Sequence, residues 1–358
     1  FSPPNVNEGE WRFIPTGDRS ICYALGAVKG TGQGAIEAIV AERKANGPFK
    51  SFFDFCCRVD RKLVNKRVVE ALIKAGAFDA LEPHRAGLLA SVALAFEYAD
   101  TLAANADQGG LFDFGDSHAA STNEPELVPT EPWTLKEQLT LEKTAIGFFL
   151  TGHLFDEHER EVRRMAKRIS DLQDSREPQM VAGIVSEMRI INGQRGRVAI
   201  FKLDDKTDSI EAVANQDTLD ANKDTLKDDE LLIIQGKVQT DRFSGGLRLN
   251  VQQVMSLGTA RCRFARFVRV VDRDGRLQFD DVLREFPARR VPAGDPGLPD
   301  LIQGLPIRLV VERRTDGLAA RGELDLGDLA RVFPSDQALR RARELMPGAE
   351  WALVYGEG

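Results

Sequence analysis

The chain has 358 residues and a formal net charge of −7, from 48 basic and 55 acidic side chains. This length allows two to four domains with cores of their own. The acidic balance argues against DNA binding over the whole surface, although it permits local basic patches. No apolar stretch reaches the roughly 20 residues that a membrane-spanning helix needs.

The sequence begins at Phe1 without a basic or apolar leader, so we expect no signal peptide and a chain cut from a longer protein. The four cysteines contain no Cys-x-x-Cys pair, and the adjacent Cys56 and Cys57 are poorly placed for disulfides. A reducing, cytoplasmic location is therefore expected. His153 and His158 are five residues apart and do not share a helix face, which favours surface histidines over a metal site.

Residues 1–20 have the pattern of a short β-hairpin, interpreted as the tail of an upstream fingers-type domain. Residues 21–28 are a short apolar segment, residues 29–34 carry alternate glycines, and residues 35–43 have apolar side chains at helical spacing. This pattern predicts a helix, a glycine turn and a second helix. Alternate glycines allow a tight turn and leave N–H groups of the second helix free for a phosphate oxygen. The candidate phosphate contacts are Lys29, Gly30, Thr31, Gly32 and Gly34.

A second unit of the same kind follows, in which two helical patterns flank a basic turn at residues 60–67, and Gly76 is placed to end the second helix. Residues 21–87 hold eleven basic and seven acidic side chains, a local net charge of +4. Residues 21–107 therefore predict a tandem helix-hairpin-helix domain that binds the backbone of duplex DNA. The basic candidates in the second turn are Arg61, Lys62, Lys66 and Arg67.

Two other interpretations apply to residues 29–34. One is an ordinary turn between helices, and the other is a glycine loop that binds a dinucleotide. The dinucleotide interpretation is disfavoured because residues 21–28 are too short for a Rossmann unit and no parallel-strand pattern precedes them. The structural turn stays open.

A second candidate site is the peptide at residues 108–114, Gln-Gly-Gly-Leu-Phe-Asp-Phe, in a region that should repel DNA. Residues 97–145 contain ten acidic and two basic side chains. Exposed Leu111 and Phe112 would cost free energy unless they enter an apolar pocket, where the Gln108 amide could satisfy buried backbone groups. This favours a linear peptide that binds a partner weakly, at about micromolar affinity. A buried turn of its own domain is the alternative.

The segments on either side of this peptide differ in character. Residues 84–104 predict a long helix rich in Ala and Leu. Residues 115–131 are a Ser/Thr/Pro/Glu linker with little to bury, residues 133–150 regain helical spacing, and residues 156–167 predict a charged surface helix. Residues 115–177 thus form a linker and helical connector.

From residue 179 the hydrophobic period changes to two. Five strands with a helix-sized insert between the third and fourth predict an OB-type five-stranded β-barrel over residues 178–258. Its first-to-second and fourth-to-fifth loops are expected to contact single-stranded DNA through charge and ring stacking. The candidates there are Arg195, Arg197, Arg242 and Phe243. Ten basic against twelve acidic side chains make strong binding by the whole barrel unexpected, and a purely structural barrel is the alternative.

Residues 259–358 alternate strand and helix patterns and contain no nucleophile motif, paired carboxylates or phosphate loop. A small α/β interaction domain is therefore predicted. The fold class that emerges is multidomain α+β, with a tandem helix-hairpin-helix domain, an OB-type five-stranded β-barrel and a small C-terminal α/β domain.

Four short sequence segments resemble the C-terminal region of the bacterial replicative DNA polymerase III alpha subunit. Together with the order of the predicted domains, they extend the resemblance over essentially the whole chain. They are residues 26–30 (Gly-Ala-Val-Lys-Gly), 74–79 (Lys-Ala-Gly-Ala-Phe-Asp), 150–153 (Leu-Thr-Gly-His) and 243–247 (Phe-Ser-Gly-Gly-Leu).

The resemblance implies four partners. The tandem hairpins would hold duplex DNA behind the primer end, and the barrel would lie near single-stranded template DNA. Gln108, Leu111 and Phe112 would bind the sliding clamp, and residues 259–358 would bind the clamp-loader tau subunit. Gly109 and Gly110 stand where the family often has larger residues, which puts the clamp affinity in doubt.

The resemblance also implies an enzyme, a DNA-directed DNA polymerase whose palm carboxylates hold two divalent ions, expected to be Mg²⁺. No residues of this chain match those carboxylates, so we expect no cofactor in this chain, no catalytic residue and no polymerisation by it alone. The alternative is a non-catalytic repair or scaffold protein with helix-hairpin-helix and OB modules. A nuclease or hydrolase is disfavoured because no metal or nucleophile cluster appears.

Overall fold

A computed structural model describes residues 2–15, 17, 20–109, 124–193, 196–241, 245–292, 300–315 and 318–356. The chain divides into two compact units, Phe1–Asp156 and Glu157–Gly358. Within the described part of the chain, no helix has the length and apolar character to cross a membrane.

The first unit is helical apart from one short antiparallel strand pair. The strands are β1 (Ile14–Pro15) and β2 (Ile21–Cys22). A single 3-10 turn, Leu25–Ala27, follows them. The helices are α1 (Gln33–Asn46), α2 (Phe52–Arg58), α3 (Lys66–Lys74), α4 (Arg85–Ala90), α5 (Val92–Gly109) and α6 (Leu135–Ile146).

Aromatic side chains fill the centre of this unit because α2 carries phenylalanines at positions that face inward. The Phe55 ring is fully buried. Its centre lies 4.9 Å from the centre of the Phe78 ring and 4.8 Å from the centre of the Phe49 ring, both in edge-to-face geometry. Helix α3 ends where Gly76 takes a φ of +81°, and the Ala77 N–H donates back to a carbonyl of the last turn. The predicted stop at Gly76 is confirmed.

Two predicted helices of this unit were wrong in detail. Residues 21–28 form β2 and a 3-10 turn, because residues 21–22 pair with β1 and Gly26 lies against Trp11, where a β-carbon would come within 2.2 Å of the indole ring. The helix predicted over residues 84–104 is split into α4 and α5 at Ser91. That side chain is buried, and its hydroxyl oxygen accepts the Val128 N–H at 2.9 Å.

The second unit begins with a short helix and a closed barrel. Helix α7 (Glu159–Val162) is much shorter than the charged helix predicted over residues 156–167, because the chain turns at residues 163–165 and Lys167 then bridges to Val181. The barrel consists of β3 (Gln179–Gly193), β4 (Gly196–Asp204), β5 (Ser209–Ala214), β6 (Leu231–Thr240) and β7 (Leu247–Ser256), with α8 (Gln216–Ala221) between β5 and β6. It closes in the order β3-β4-β5-β7-β6, with β5 and β7 parallel. The predicted five-stranded OB-type barrel with an insert after the third strand is confirmed.

The rest of the second unit is a small α/β fold. Its elements are α9 (Leu257–Phe264), β8 (Ala265–Asp272), α10 (Phe279–Glu285), β9 (Arg289–Val291), β10 (Leu301–Gln303), β11 (Leu305–Thr315), β12 (Leu318–Asp325), β13 (Arg331–Val332), α11 (Asp336–Leu345) and β14 (Ala349–Tyr355). The main sheet has the order β12-β11-β8-β14, with β8 and β11 parallel. Ser335 caps α11 by accepting the Ala338 N–H at 3.1 Å, as predicted. The mixed α+β class is thus confirmed.

Candidate nucleic-acid interface

The turn before α1 is fixed by backbone and hydroxyl hydrogen bonds. Val28 is 1% exposed and anchors the turn in the core. The Lys29 N–H donates to the Ala145 carbonyl of α6 at 2.7 Å. The Thr31 hydroxyl lies 2.7 Å from the Val28 carbonyl and 3.0 Å from the Leu25 carbonyl, both of which can accept its proton. Thr31, predicted as a phosphate contact, therefore has its hydroxyl proton committed to the turn itself.

Gly30 allows the turn to pack against the second hairpin. Its φ is +91°, a conformation that side chains with a β-carbon rarely adopt. A β-carbon on Gly30 would lie 3.7 Å from the β-carbon of Ala71 in α3. The first turn is thus supported by α3 on one side and by α6 on the other.

The N-terminus of α1 is open. Gly32 occupies its N-cap position, no side chain caps the helix, and its first turn has no acidic residue. A β-carbon on Gly32 or Gly34 would meet no atom within 4 Å among the described residues. The first N–H groups of α1 and the positive end of its dipole are therefore free to receive an anion.

Helix α3, which begins the second half of the second hairpin, differs in this respect. The side chain of Asn65 caps α3 by accepting the Val68 N–H at 3.2 Å. One of its first donors is consequently satisfied within the protein. Of the two hairpin helices, α1 offers the better phosphate site.

Lys29 is exposed beside the first turn, at the carboxyl end of α6. Gly147 ends α6 with a φ of +108°, and a β-carbon on it would lie 3.6 Å from the Lys29 Nζ. The negative end of the α6 dipole stabilises an ammonium group at this place. Helix α6 thereby helps to hold the charge of Lys29 next to the N-terminus of α1.

The second turn separates its predicted cations into two groups. Arg61 forms an ion pair with Asp100 and donates to the Phe96 carbonyl of α5 at 3.4 Å, so its charge is used within the unit. Lys62 is exposed, and its N–H donates to the Asp60 carboxylate at 2.9 Å. Of the two, only Arg61 is paired within the unit, and its predicted contact with DNA stays a prediction.

Lys66 and Arg67 lie in the first turn of α3 and are both exposed. The Lys66 Nζ is 5.7 Å from the centre of the Phe96 ring, a cation–π distance that leaves its charge available. Lys62 and Arg67 have no ion-pair partner among the described residues. Three cations of the second turn thus face solvent.

A buried ion network behind these turns was missed by the sequence reasoning. Arg85 is 3% exposed and lies 2.7 and 2.5 Å from the two carboxylate oxygens of Asp79. It also lies 3.2 Å from Glu142 of α6, which is fully buried and accepts the Thr151 N–H at 2.8 Å. Although burial disfavours its charge, these two carboxylates raise the pKa of Arg85 above its ordinary value. Arg85 also donates to the Lys74 carbonyl at 3.4 Å, so the network joins α3, α4 and α6.

A sequence signal for this network did exist. The phrase at residues 74–79 contains Asp79, and the phrase at residues 150–153 contains Thr151. A β-carbon on Gly76 would come within 2.2 Å of the Arg85 guanidinium, so the glycine of the first phrase makes room for the arginine. Both phrases are therefore structural supports of the ion network.

In the barrel, Arg197 is the one predicted single-strand contact among the described residues. Its guanidinium pairs with Asp220 of α8 at 2.8 Å, and its backbone N–H donates to the side-chain oxygen of Gln216 at 3.1 Å. A DNA phosphate would have to compete with Asp220 for this charge. The other three predicted contacts, Arg195, Arg242 and Phe243, lie outside the described residues.

The predicted clamp-binding peptide lies mostly outside the described residues. The backbone of Gln108 belongs to the last turn of α5, which ends at Gly109. Leu111 and Phe112 fall in the undescribed range. The peptide stays a prediction.

Family comparisons assign two modules to the chain. Residues 1–88 match the helix-hairpin-helix motif, and residues 180–257 match the OB-fold nucleic acid binding domain. Fold and sequence together define a chain that joins a helix-hairpin-helix module to an OB-fold nucleic-acid-binding domain.

Similar chains narrow this class to one family. DNA polymerase III subunit alpha of Neisseria meningitidis serogroup B is 44% identical over 268 residues, 74% of this chain and 23% of the relative. Those of Vibrio cholerae and Escherichia coli K12 are 35% and 34% identical, over 96% and 99% of this chain and 29% and 30% of the relatives. The chain belongs to the DNA polymerase III alpha subunit family, and it spans between 23% and 30% of the length of these relatives.

Proposed function

We propose that this chain is the DNA-binding and clamp-binding part of a replicative DNA-directed DNA polymerase that works in the cytoplasm. The observation that carries the proposal is the open N-terminus of α1, with Lys29 held beside it. Membership of the polymerase family supports it further.

The proposed role of the hairpins is to hold duplex DNA by its backbone. The N–H groups at Gly32 and Gly34 would bind one phosphate, and the exposed Lys29, Lys62 and Arg67 would neutralise others. Contacts of this kind fix position on the duplex and carry no sequence information. That property suits an enzyme which copies any sequence.

Chemistry is assigned to the parent enzyme. Nucleotidyl transfer there would use two Mg²⁺ ions held by palm carboxylates. We assign no catalytic residue in this chain. Its contribution would be to keep the primer end in place between successive additions.

The second unit would serve the template and the clamp loader. Single-stranded template would contact the barrel loops through Arg195, Arg197, Arg242 and Phe243. Residues 259–358 would bind the clamp-loader tau subunit. Both roles rest on the family resemblance, and the template role is also supported by the OB-fold match over residues 180–257.

The proposed clamp contact is the peptide that contains Gln108, Leu111 and Phe112. Such a contact is expected to be weak, at about micromolar affinity, because a flexible segment must be ordered on binding. The triple change of Gln108, Leu111 and Phe112 to alanine should abolish binding of the chain to the purified bacterial sliding clamp, measured by surface plasmon resonance.

The control is a triple alanine variant of Ser117, Ser121 and Thr122 in the same segment, which should bind like the unchanged chain. Equal binding by the Gln108 variant would place the clamp contact elsewhere. No binding by the unchanged chain would instead favour a scaffold role for the two DNA-binding modules.

A further inference from the structure

A cleft in the second unit gathers arginines from two directions. It has a volume of about 460 Å³, within the range of small-molecule sites. Its lining includes Arg160 and Arg164, four residues apart in and just after α7, and Arg340 and Arg343, three residues apart on α11. Such spacings place each pair on one side of its segment.

The base of this cleft is a buried, neutralised arginine. Arg261 is 3% exposed and binds both carboxylate oxygens of Glu161 at 2.7 Å. Its remaining nitrogen lies 2.7 Å from Asp336 and donates to the Pro334 carbonyl at 3.0 Å. Four of the five guanidinium N–H groups of Arg261 are therefore used within the protein, and the residue serves to fix the walls of the cleft.

The four outer arginines are all exposed, and none has an ion-pair partner among the described residues. Glu161 and Asp336 are committed to Arg261, which leaves Glu157 as the cleft carboxylate without a partner. Four guanidinium groups thus face one carboxylate in a small volume. Like charges that converge in this way repel each other unless an anion lies between them.

We propose that this cleft binds a compact polyphosphate anion, either free or as the tail of a nucleotide. Each guanidinium offers two parallel N–H donors, the geometry that binds phosphate oxygens in pairs. The inference goes beyond DNA and clamp binding, and it concerns a different part of the chain from the hairpins.

Single-stranded DNA fits the cleft less well. The Arg164 guanidinium lies 5.4 Å from the centre of the Tyr355 ring, and Trp351 is 5% exposed. Neither ring is open to stack on a base, which is the contact that single strands use. The cleft thus offers charge without a stacking surface.

The test is calorimetric titration of the full chain with inorganic pyrophosphate, in a buffer of low salt. The unchanged chain should bind it saturably, and the Arg340→Ala, Arg343→Ala double variant should bind at least tenfold more weakly. Because both side chains are exposed, the fold should persist, which circular dichroism can check. A nucleoside triphosphate, titrated in parallel, distinguishes the two sources: equal affinity assigns the site to the phosphate tail, and tighter binding assigns it to a nucleotide.

The matched control is the Arg276→Ala, Arg290→Ala double variant, which removes the same charge from exposed positions outside the cleft. It should bind pyrophosphate like the unchanged chain. If pyrophosphate binding weakens equally in both double variants, the effect comes from the overall charge of the chain and the proposal is overturned. The absence of saturable binding up to roughly 1 mM, or binding of an oligonucleotide or an acidic peptide where pyrophosphate fails, would also overturn it.

Discussion

Arg61 and Lys62 are neighbouring cations with different surroundings. Arg61 reaches back to Asp100 and the Phe96 carbonyl of α5, whereas Lys62 projects from the turn without an ion-pair partner among the described residues. A protein cation contributes to the salt dependence of DNA binding only when it contacts a phosphate and so releases counterions from the DNA. The proposed function therefore assigns different effects to the two residues.

A plot of log association constant for duplex DNA against log salt concentration has a negative slope. Replacing Lys62 or Arg67 by alanine should reduce the magnitude of this slope by about 0.9 each. Replacing Arg61 should leave this slope unchanged, because its charge is already paired. Fluorescence anisotropy at several salt concentrations measures all three slopes. A slope unaffected in the Lys62 and Arg67 variants would remove those residues from the phosphate contacts.

At the scale of elements, the two hairpin helices begin differently. Helix α3 has a side-chain cap and α1 has none, although Gly32 has the extended backbone, with φ −95° and ψ 154°, that a capping residue needs. Stability alone would favour Asp, Asn or Ser at this position. A glycine there is consistent with a donor set kept open for an external anion.

The Gly32→Asp variant should therefore gain stability and lose DNA binding. The carboxylate would cap α1 and stabilise the unit by a few tenths of a kcal/mol, while it occupies the N–H groups and repels phosphate. We expect duplex affinity to fall by about tenfold or more, in the range of a charge-assisted hydrogen bond. Thermal unfolding and DNA titration measure the two effects.

Gly32→Asn is the matched control, since it caps the helix without a negative charge. It should show a similar gain in stability and a smaller loss of affinity. Unchanged DNA binding by the aspartate variant would exclude the α1 N-terminus as a phosphate site.

At the scale of the whole molecule, each unit has its own core. The core of the first unit runs from Val6 to Ile146, around the buried phenylalanines, and the barrel and the α/β fold of the second unit have separate cores. The proposed duplex contacts all belong to the first unit. Binding of duplex DNA should accordingly not require the second unit.

Residues 1–156, produced alone, should fold cooperatively and bind duplex DNA with an affinity within about twofold of the full chain. Residues 157–358 should show little duplex affinity. Circular dichroism melts and anisotropy titrations of the two pieces provide the measurements. Loss of duplex affinity in a folded first unit would show that the hairpins are not sufficient for the contact.

Features that depend on local spacing could be predicted from the sequence. Alternation of apolar residues predicted the five barrel strands and the insert after the third, and helical spacing with Gly76 predicted α3 and its end. Side-chain period and turn residues are read from neighbours along the chain, so these predictions needed no tertiary information. The same holds for Ser335 as the cap of α11.

Which charged residues are paired inside the protein depends on contacts between distant parts of the chain. Arg85 and Glu142 are 57 residues apart, and neither lies in the family-specific segments at residues 74–79 and 150–153 that contain their partners Asp79 and Thr151. The short first segment became a strand and a 3-10 turn because β1 and Trp11 pack against it. Burial of a charge is tolerated only where a partner is already in place, and partners distant in sequence are brought together by folding alone.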